Sequence, residues 1–171
     1  MNKYFSMKID ELIKHFDITS IQIDGPVDTE ISNIAYDSRG VKEGFLFVCI
    51  KGLQNDGHRY ISKAIGQGAL AIVVEKTFFN QEIQIPLPRE RKITIISVDD
   101  SRIALSKLSA AFYRFPSDRL KVIGITGTNG KTTITCLLDS IFRASNLATG
   151  ILGTIAYKIK DNTYDAPRTT P

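Results

Sequence analysis

The sequence has no tryptophan, only two cysteines and six prolines, and no apolar run of membrane-spanning length. Two cysteines in 171 residues exclude a disulfide scaffold. Cys49 and Cys136 lie in the apolar runs FLFVCI and TCLLDSIF, so both are expected as small buried hydrophobes and not as metal ligands. The opening MNKYFSMKIDELIKHF carries Lys8, Asp10 and Glu11 where a signal peptide needs uninterrupted apolar residues. A cytoplasmic, reduced location with no membrane partner is therefore expected. A continuous basic stripe is lacking too: the net charge of +4 is spread along the chain, and its one cluster, Arg89, Arg91 and Lys92, is broken by Glu90. Nucleic acid is thereby excluded as a partner.

What is present describes a folded α/β protein, 43% hydrophobic and 23% charged. Ile9, Leu12, Ile13 and Phe16 share one face of a 3.6-residue period and predict an opening helix. IQIDGPVDTEISNIAYDS predicts short strands joined by turns at Asp24-Gly25-Pro26. FLFVCI (45–50), ALAIVV (69–74) and ITIISV (93–98) are continuous apolar runs of strand length, the second and third reading as parallel strands buried on both faces. A helix is expected around Tyr60 to Ile65, and a surface connection with Pro86 and Pro88 from Asn80 to Lys92. From Ser101 to Phe115, Leu105, Leu108, Phe112 and Phe115 suit an amphipathic helix with Asp99, Asp100 and Ser101 as cap candidates and Pro116 beyond its end. The change of pattern near Val98 predicts a boundary there, giving domains 1–98 and 99–171.

The strongest chemical signal is LKVIGITGTNGKTTITCLLDSIF, in which a buried-looking strand (Leu120 to Ile125) enters a glycine-bearing loop and then an amphipathic helix carrying Ile134, Leu137, Leu138 and Ile141 on one face. Gly127 and Gly130 allow backbone conformations in which successive N–H groups point at a phosphate, and the helix starting near Lys131 adds its positive end. On this reading Lys131 meets the β- and γ-phosphates of ATP, while the Thr132 hydroxyl ligates Mg²⁺ and Thr133 sits one residue deeper. Thr128 and Asn129 complete the loop. The spacing departs from the general phosphate-loop pattern, since position 125 is Ile and the glycines stand at 124 and 127.

The string GITGTNGKTT (Gly124 to Thr133) resembles the ATP-binding signature of the Mur ligases and of the folylpolyglutamate synthetases, in which that shifted spacing is usual. Upstream, DSRGVKEGFLFVCIKG and NDGHRYISKAIGQGALAIVVE are similar to the UDP-sugar-binding N-terminal domain of the tripeptide- and pentapeptide-forming Mur ligases, which sets the folate enzymes aside. TGILGTIAYKI and the closing RTTP (Arg168 to Pro171) resemble the tripeptide-forming branch. The resemblance implies a mixed α/β UDP-MurNAc-substrate-binding domain followed by the beginning of a doubly wound, P-loop-containing ATP-binding domain. It also implies an ATP- and Mg²⁺-dependent ligase, acting as a monomer, that joins a free amino acid to UDP-MurNAc-L-Ala-D-Glu through an acyl phosphate. Ser38 of Asp-Ser-Arg would contact the UDP part, with Gln54 beside it, and Thr169 and Thr170 would hold the substrate's other end near ATP. Arg168 is open between a phosphate partner and solvated charge. His58, after Asp56-Gly57, is expected to shape a turn, and His15 to lie on the surface.

The remaining carboxylate and histidine of the family's metal site, its modified lysine and its amino-acid-selecting domain have no counterpart, so a fragment of a longer ligase, inactive alone, is expected. Two alternatives stand beside this reading: the pentapeptide-forming ligase, which adds D-Ala-D-Ala, and a short protein that binds a nucleotide or UDP-sugar without catalysis. Whether the added residue is meso-diaminopimelate or L-lysine is not legible.

Overall fold

A computed structural model describes residues 5–17, 20–52, 55–79, 92–153, 156–160 and 162–165. It divides into two compact units, residues 1–120 and 121–171.

The first unit is built on three apolar runs. Phe45–Val48 (β5), Ala71–Glu75 (β6) and Thr94–Val98 (β7) lie side by side in parallel, with Asn33–Ala35 (β4) parallel to β5 at one edge. Ile21–Asp24 (β2) closes the other edge antiparallel to β7, giving the order β2-β7-β6-β5-β4. A strand covered on both faces must be apolar at consecutive positions, which is why these runs do not alternate with polar residues. Leu46, Val48, Ala71, Val73, Ile96 and Val98 face one core, with Ile9–Ile13 (α1) and Ser101–Phe112 (α4) packed on it. Phe47, Cys49, Ile72, Val74 and Ile95 face a second core under Ile61–Gly66 (α2). A small antiparallel pair, Met7–Lys8 (β1) with Glu30–Ile31 (β3), brings Ile31 into the first core. The short helix Lys76–Phe79 (α3) follows β6, and Phe78 packs against the second core. Residues 80–91 of the expected proline-bearing connection lie outside the described residues.

Two expectations are corrected. The boundary falls after Leu120 and not at Val98, because α4 presents Ala104, Leu108, Ala111 and Phe112 to the first core and so belongs to the first unit. The helix is capped by Asp100, which accepts from the N–H groups of Arg102 (2.8 Å) and Ile103 (3.0 Å); these bonds hold the Asp100 carboxyl below its ordinary pKa. The run Leu120 to Ile125 joins no ladder among the described residues, and Leu120, Val122 and Ile123 are exposed. Apolar side chains favour an extended backbone, but a strand also needs a neighbour to take its N–H and C=O groups.

The second unit places the helix Lys131–Ala144 (α5) beside a three-stranded antiparallel sheet of Gly150–Leu152 (β8), Ala156–Ile159 (β9) and Asn162–Asp165 (β10), in the order β10-β9-β8. Cys136 is exposed on α5, against expectation, because that side of the helix is uncovered by the described residues; Cys49 is buried as expected, and burial pushes its thiol pKa well up.

Candidate functional site

The loop ahead of α5 has the backbone its glycines allow. Gly127 and Gly130 have φ of 149° and 76°, in the region that side-chain-bearing residues seldom enter. A Cβ on Gly130 would meet nothing within 4 Å, so the demand there is conformational and not a matter of space. Gly130 stands at the helix N-cap and offers no side chain, and α5 has no side-chain cap. The first N–H groups of a helix lack intrahelical partners and carry its positive end, so those of Lys131, Thr132 and Thr133 are available to an anion. Thr128, Asn129, Lys131, Thr132 and Thr133 are all exposed. The Lys131 ammonium folds back onto the loop, donating to the carbonyl oxygens of Gly127 and, at 3.4 Å, of Thr128. An ammonium held on two neutral carbonyls at the mouth of an uncapped helix can exchange them for phosphate oxygens at little rearrangement cost. The donor set therefore fits a nucleotide polyphosphate, and the exposed Thr132 hydroxyl is of the right type for a hard cation bound with it.

Ser38 lies in the first unit. It opens a single 3₁₀ turn, Ser38–Gly40, set by Asp37, whose carboxylate accepts from the Arg39 backbone N–H at 3.0 Å and pairs with the Arg39 guanidinium at 2.6 Å. Ser38 is buried and Arg39 exposed, its guanidinium pKa raised by the Asp37 contact. Gln54, Arg168, Thr169 and Thr170 lie outside the described residues. Ser38 and the phosphate loop belong to different units.

His58 does more than shape a turn. Its ring is buried and stacked on Phe78, with centroids 4.2 Å apart. Nδ1 lies 2.6 Å from an Asp56 oxygen, while Nε2 accepts from the Glu75 backbone N–H at 3.1 Å. The second bond requires Nε2 to be unprotonated, which puts the ring proton on Nδ1, facing Asp56. Burial raises the pKa of Asp56, and hydrogen bonds from the His58 backbone and ring more than offset that, leaving it lowered. Glu75 in turn accepts from the Ser101 hydroxyl at 2.8 Å, so a polar chain ties the Asp56 loop, β6 and α4 together. Gly57 is required by closeness, since a Cβ there would lie 2.6 Å from the Ile50 nitrogen. His15 is exposed, as expected, with its ring edge-on to Phe115.

Sequence reasoning passed over Asp139, the one buried residue of α5. It accepts from the Thr149 hydroxyl, from Arg143 Nε at 2.9 Å and from Lys158 Nζ at 3.2 Å. Those bonds, the Thr149 hydroxyl's first, pull its carboxyl pKa down to about 2. The only advance signal was the Asp139/Arg143 spacing of four residues.

A mixed α/β unit followed by a glycine-bearing loop at an uncapped helix, with donors that fit a polyphosphate, sets the class as an α/β protein with a phosphate-loop-like turn. Comparison narrows it. A model described as Mur ligase family, catalytic domain, matches residues 30–113, and one described as Mur ligase middle domain matches residues 125–171. The chain belongs to the Mur ligase family. Two relatives bear the name UDP-N-acetylmuramoyl-L-alanyl-D-glutamate--2,6-diaminopimelate ligase. That of Syntrophomonas wolfei is 42% identical over 165 residues, 96% of this chain and 32% of its own length. That of Clostridium botulinum is 48% identical over 142 residues, 83% of this chain and 28% of its own. The chain thus spans about a third of the length of the curated relatives it matches. Among solved structures, MurF from Acinetobacter baumannii superposes with a TM-score of 0.59 at 28% identity, over 88% of this chain and 29% of that one. A diaminopimelate ligase of the same name as the two relatives gives 0.66 at 22%, over 97% and 31%, a likeness of fold. Among the described residues no group of three or more His, Cys, Asp or Glu could hold a metal, and no helix is long and apolar enough to cross a membrane.

Proposed function

We propose that this chain supplies the UDP-substrate-binding domain and the phosphate loop of a cytoplasmic, monomeric ATP-dependent ligase that adds the third residue to UDP-MurNAc-L-Ala-D-Glu. The observation that carries the reading is the loop from Gly127 to Thr133: two glycines at positive φ, an uncapped helix and Lys131 turned onto the loop. The Lys131 ammonium and the N–H groups of residues 131 to 133 stabilise charge on the γ-phosphoryl group as a D-Glu carboxylate oxygen attacks phosphorus and ADP leaves. The amino acid's amine then attacks the acyl carbon and phosphate departs, forming the amide. Mg²⁺, when bound through Thr132, neutralises phosphate charge. Ser38, Gln54, Thr169 and Thr170 hold the UDP-sugar substrate. The names borne by the relatives support diaminopimelate over L-lysine as the incoming residue.

In the full-length ligase, Lys131→Ala is expected to abolish ligation while leaving UDP-substrate affinity nearly unchanged, measured as phosphate release beside binding calorimetry. Undiminished ligation would sink the assignment. The likeness to MurF keeps the pentapeptide-forming reading as the second; turnover of UDP-MurNAc-tripeptide with D-Ala-D-Ala, and none of the dipeptide substrate, would select it.

A further inference from the structure

Within the described residues, the helix that carries the candidate phosphate loop is tied to its unit through a buried carboxylate, Asp139, which is only 8% exposed. An isolated helix carboxylate normally faces water, and burying one is costly unless every lone pair finds a donor. Here the donors come from both sides of a joint. Arg143 lies one turn along on α5, Thr149 leads into β8, and Lys158 stands on β9. The Arg143 guanidinium also donates to the carbonyl of Lys160, in the turn between β9 and β10. Lys160 N–H returns a bond to the Thr149 carbonyl at 3.1 Å.

The loop runs directly into the helix that this joint fixes, with Gly130 at its N-cap. Eight residues of helix separate Asp139 from Lys131, about 12 Å at 1.5 Å per residue. A tilt of about 10° at the joint would therefore move Lys131 by about 2 Å, and misplacements of about 1 Å are enough to lose a large part of the binding and catalytic advantage of an organised site. We infer that Asp139, with Thr149 and Lys158, is a positioning group for the phosphate loop, clamping α5 to the β8–β9 hairpin so that Lys131 and the N–H groups of residues 131 to 133 meet a nucleoside triphosphate in fixed register. The inference rests on the nucleotide reading of that loop.

The test is ATP affinity, by calorimetry with magnesium present, of the full-length ligase and its Lys131→Ala, Asp139→Asn, Thr149→Val and Thr149→Ser variants. It is run well below the melting temperature each variant shows by circular dichroism. Asp139→Asn is expected to weaken ATP binding about tenfold, Thr149→Val by a smaller factor, and Thr149→Ser, which keeps the hydroxyl, to restore it. UDP-substrate affinity should not move in any of them. A second readout needs no nucleotide: the amide resonances of Gly127 and Gly130 should shift in Thr149→Val and return in Thr149→Ser. If Asp139→Asn fails to fold, the threonine pair decides alone. Lowered melting temperatures with unchanged ATP affinity and unshifted glycine amides would overturn the positioning role. Absence of ATP binding by the wild type would instead sink the nucleotide reading itself.

Discussion

At the scale of single residues, the molecule's polar groups do their work from positions that burial decides. Asp139 titrates in a window set by its partners. Its carboxyl lies at about 2 in the folded chain, against about 3.9 for an unperturbed aspartate. A lowered folded-state pKa contributes stability that is fully present above the unfolded value and is lost as pH falls through the folded one. Acid should therefore loosen the second unit progressively between about pH 4 and pH 2. Amide resonances of β8 and β9, followed from pH 6 downward, are expected to broaden or shift in that window, and Asp139→Asn should flatten the dependence. The probe must be residue-resolved, because the lowered carboxyls of Asp56 and Asp100 titrate in the first unit. Persistence of the full pH dependence in the Asn variant would assign it to another group. Little of this was visible in the sequence, where only the four-residue spacing of Asp139 and Arg143 hinted at a pair and the other partners stand 10 and 19 residues away.

At the scale of elements, the three apolar runs at β5, β6 and β7 were legible because a strand covered on both faces must be apolar throughout. The helix at Ser101–Phe112 was equally legible as an element and was misassigned as a neighbour. Periodicity shows that it has an apolar face and not which core that face meets; packing settled that by setting Ala104, Leu108 and Ala111 on the first core. Leu108 is fully buried there, and Leu108→Ala is expected to cost the first unit about 3 kcal/mol, as a loss of transfer energy plus the cavity left behind. Urea unfolding followed by far-ultraviolet dichroism would show the midpoint falling; an unchanged midpoint would mean that α4 does not close that core. The run from Leu120 to Ile125 shows the opposite failure. Its composition suits a strand, but an element that exists only by pairing cannot be read from one partner.

At the scale of the whole molecule, the nucleotide reading has a thermodynamic consequence independent of turnover. A ligand bound only by the folded state stabilises it by RT ln(1 + [L]/Kd), about 2.7 kcal/mol at a hundredfold excess over Kd. Magnesium-ATP should raise the melting temperature of the full-length ligase, and Lys131→Ala should remove most of that rise while keeping the rise produced by the UDP-substrate. An equal ATP-induced rise in both forms would place the nucleotide elsewhere. The turn into α5 was legible in the sequence alone because its determinants are local: two glycines and a helix start within about ten residues prescribe the backbone themselves. The strands β5, β6 and β7 were legible in a similar way, from continuous apolar runs, although the run from Leu120 to Ile125 shows that composition alone does not secure a strand. Only the tertiary structure decided that β2 pairs antiparallel with β7, that His58 is buried against Glu75 and Phe78, and that Asp139 ties α5 to its hairpin. Those facts depend on donors and surfaces brought together from distant parts of the chain, and a pairing of that kind has no period and no composition by which a sequence could announce it.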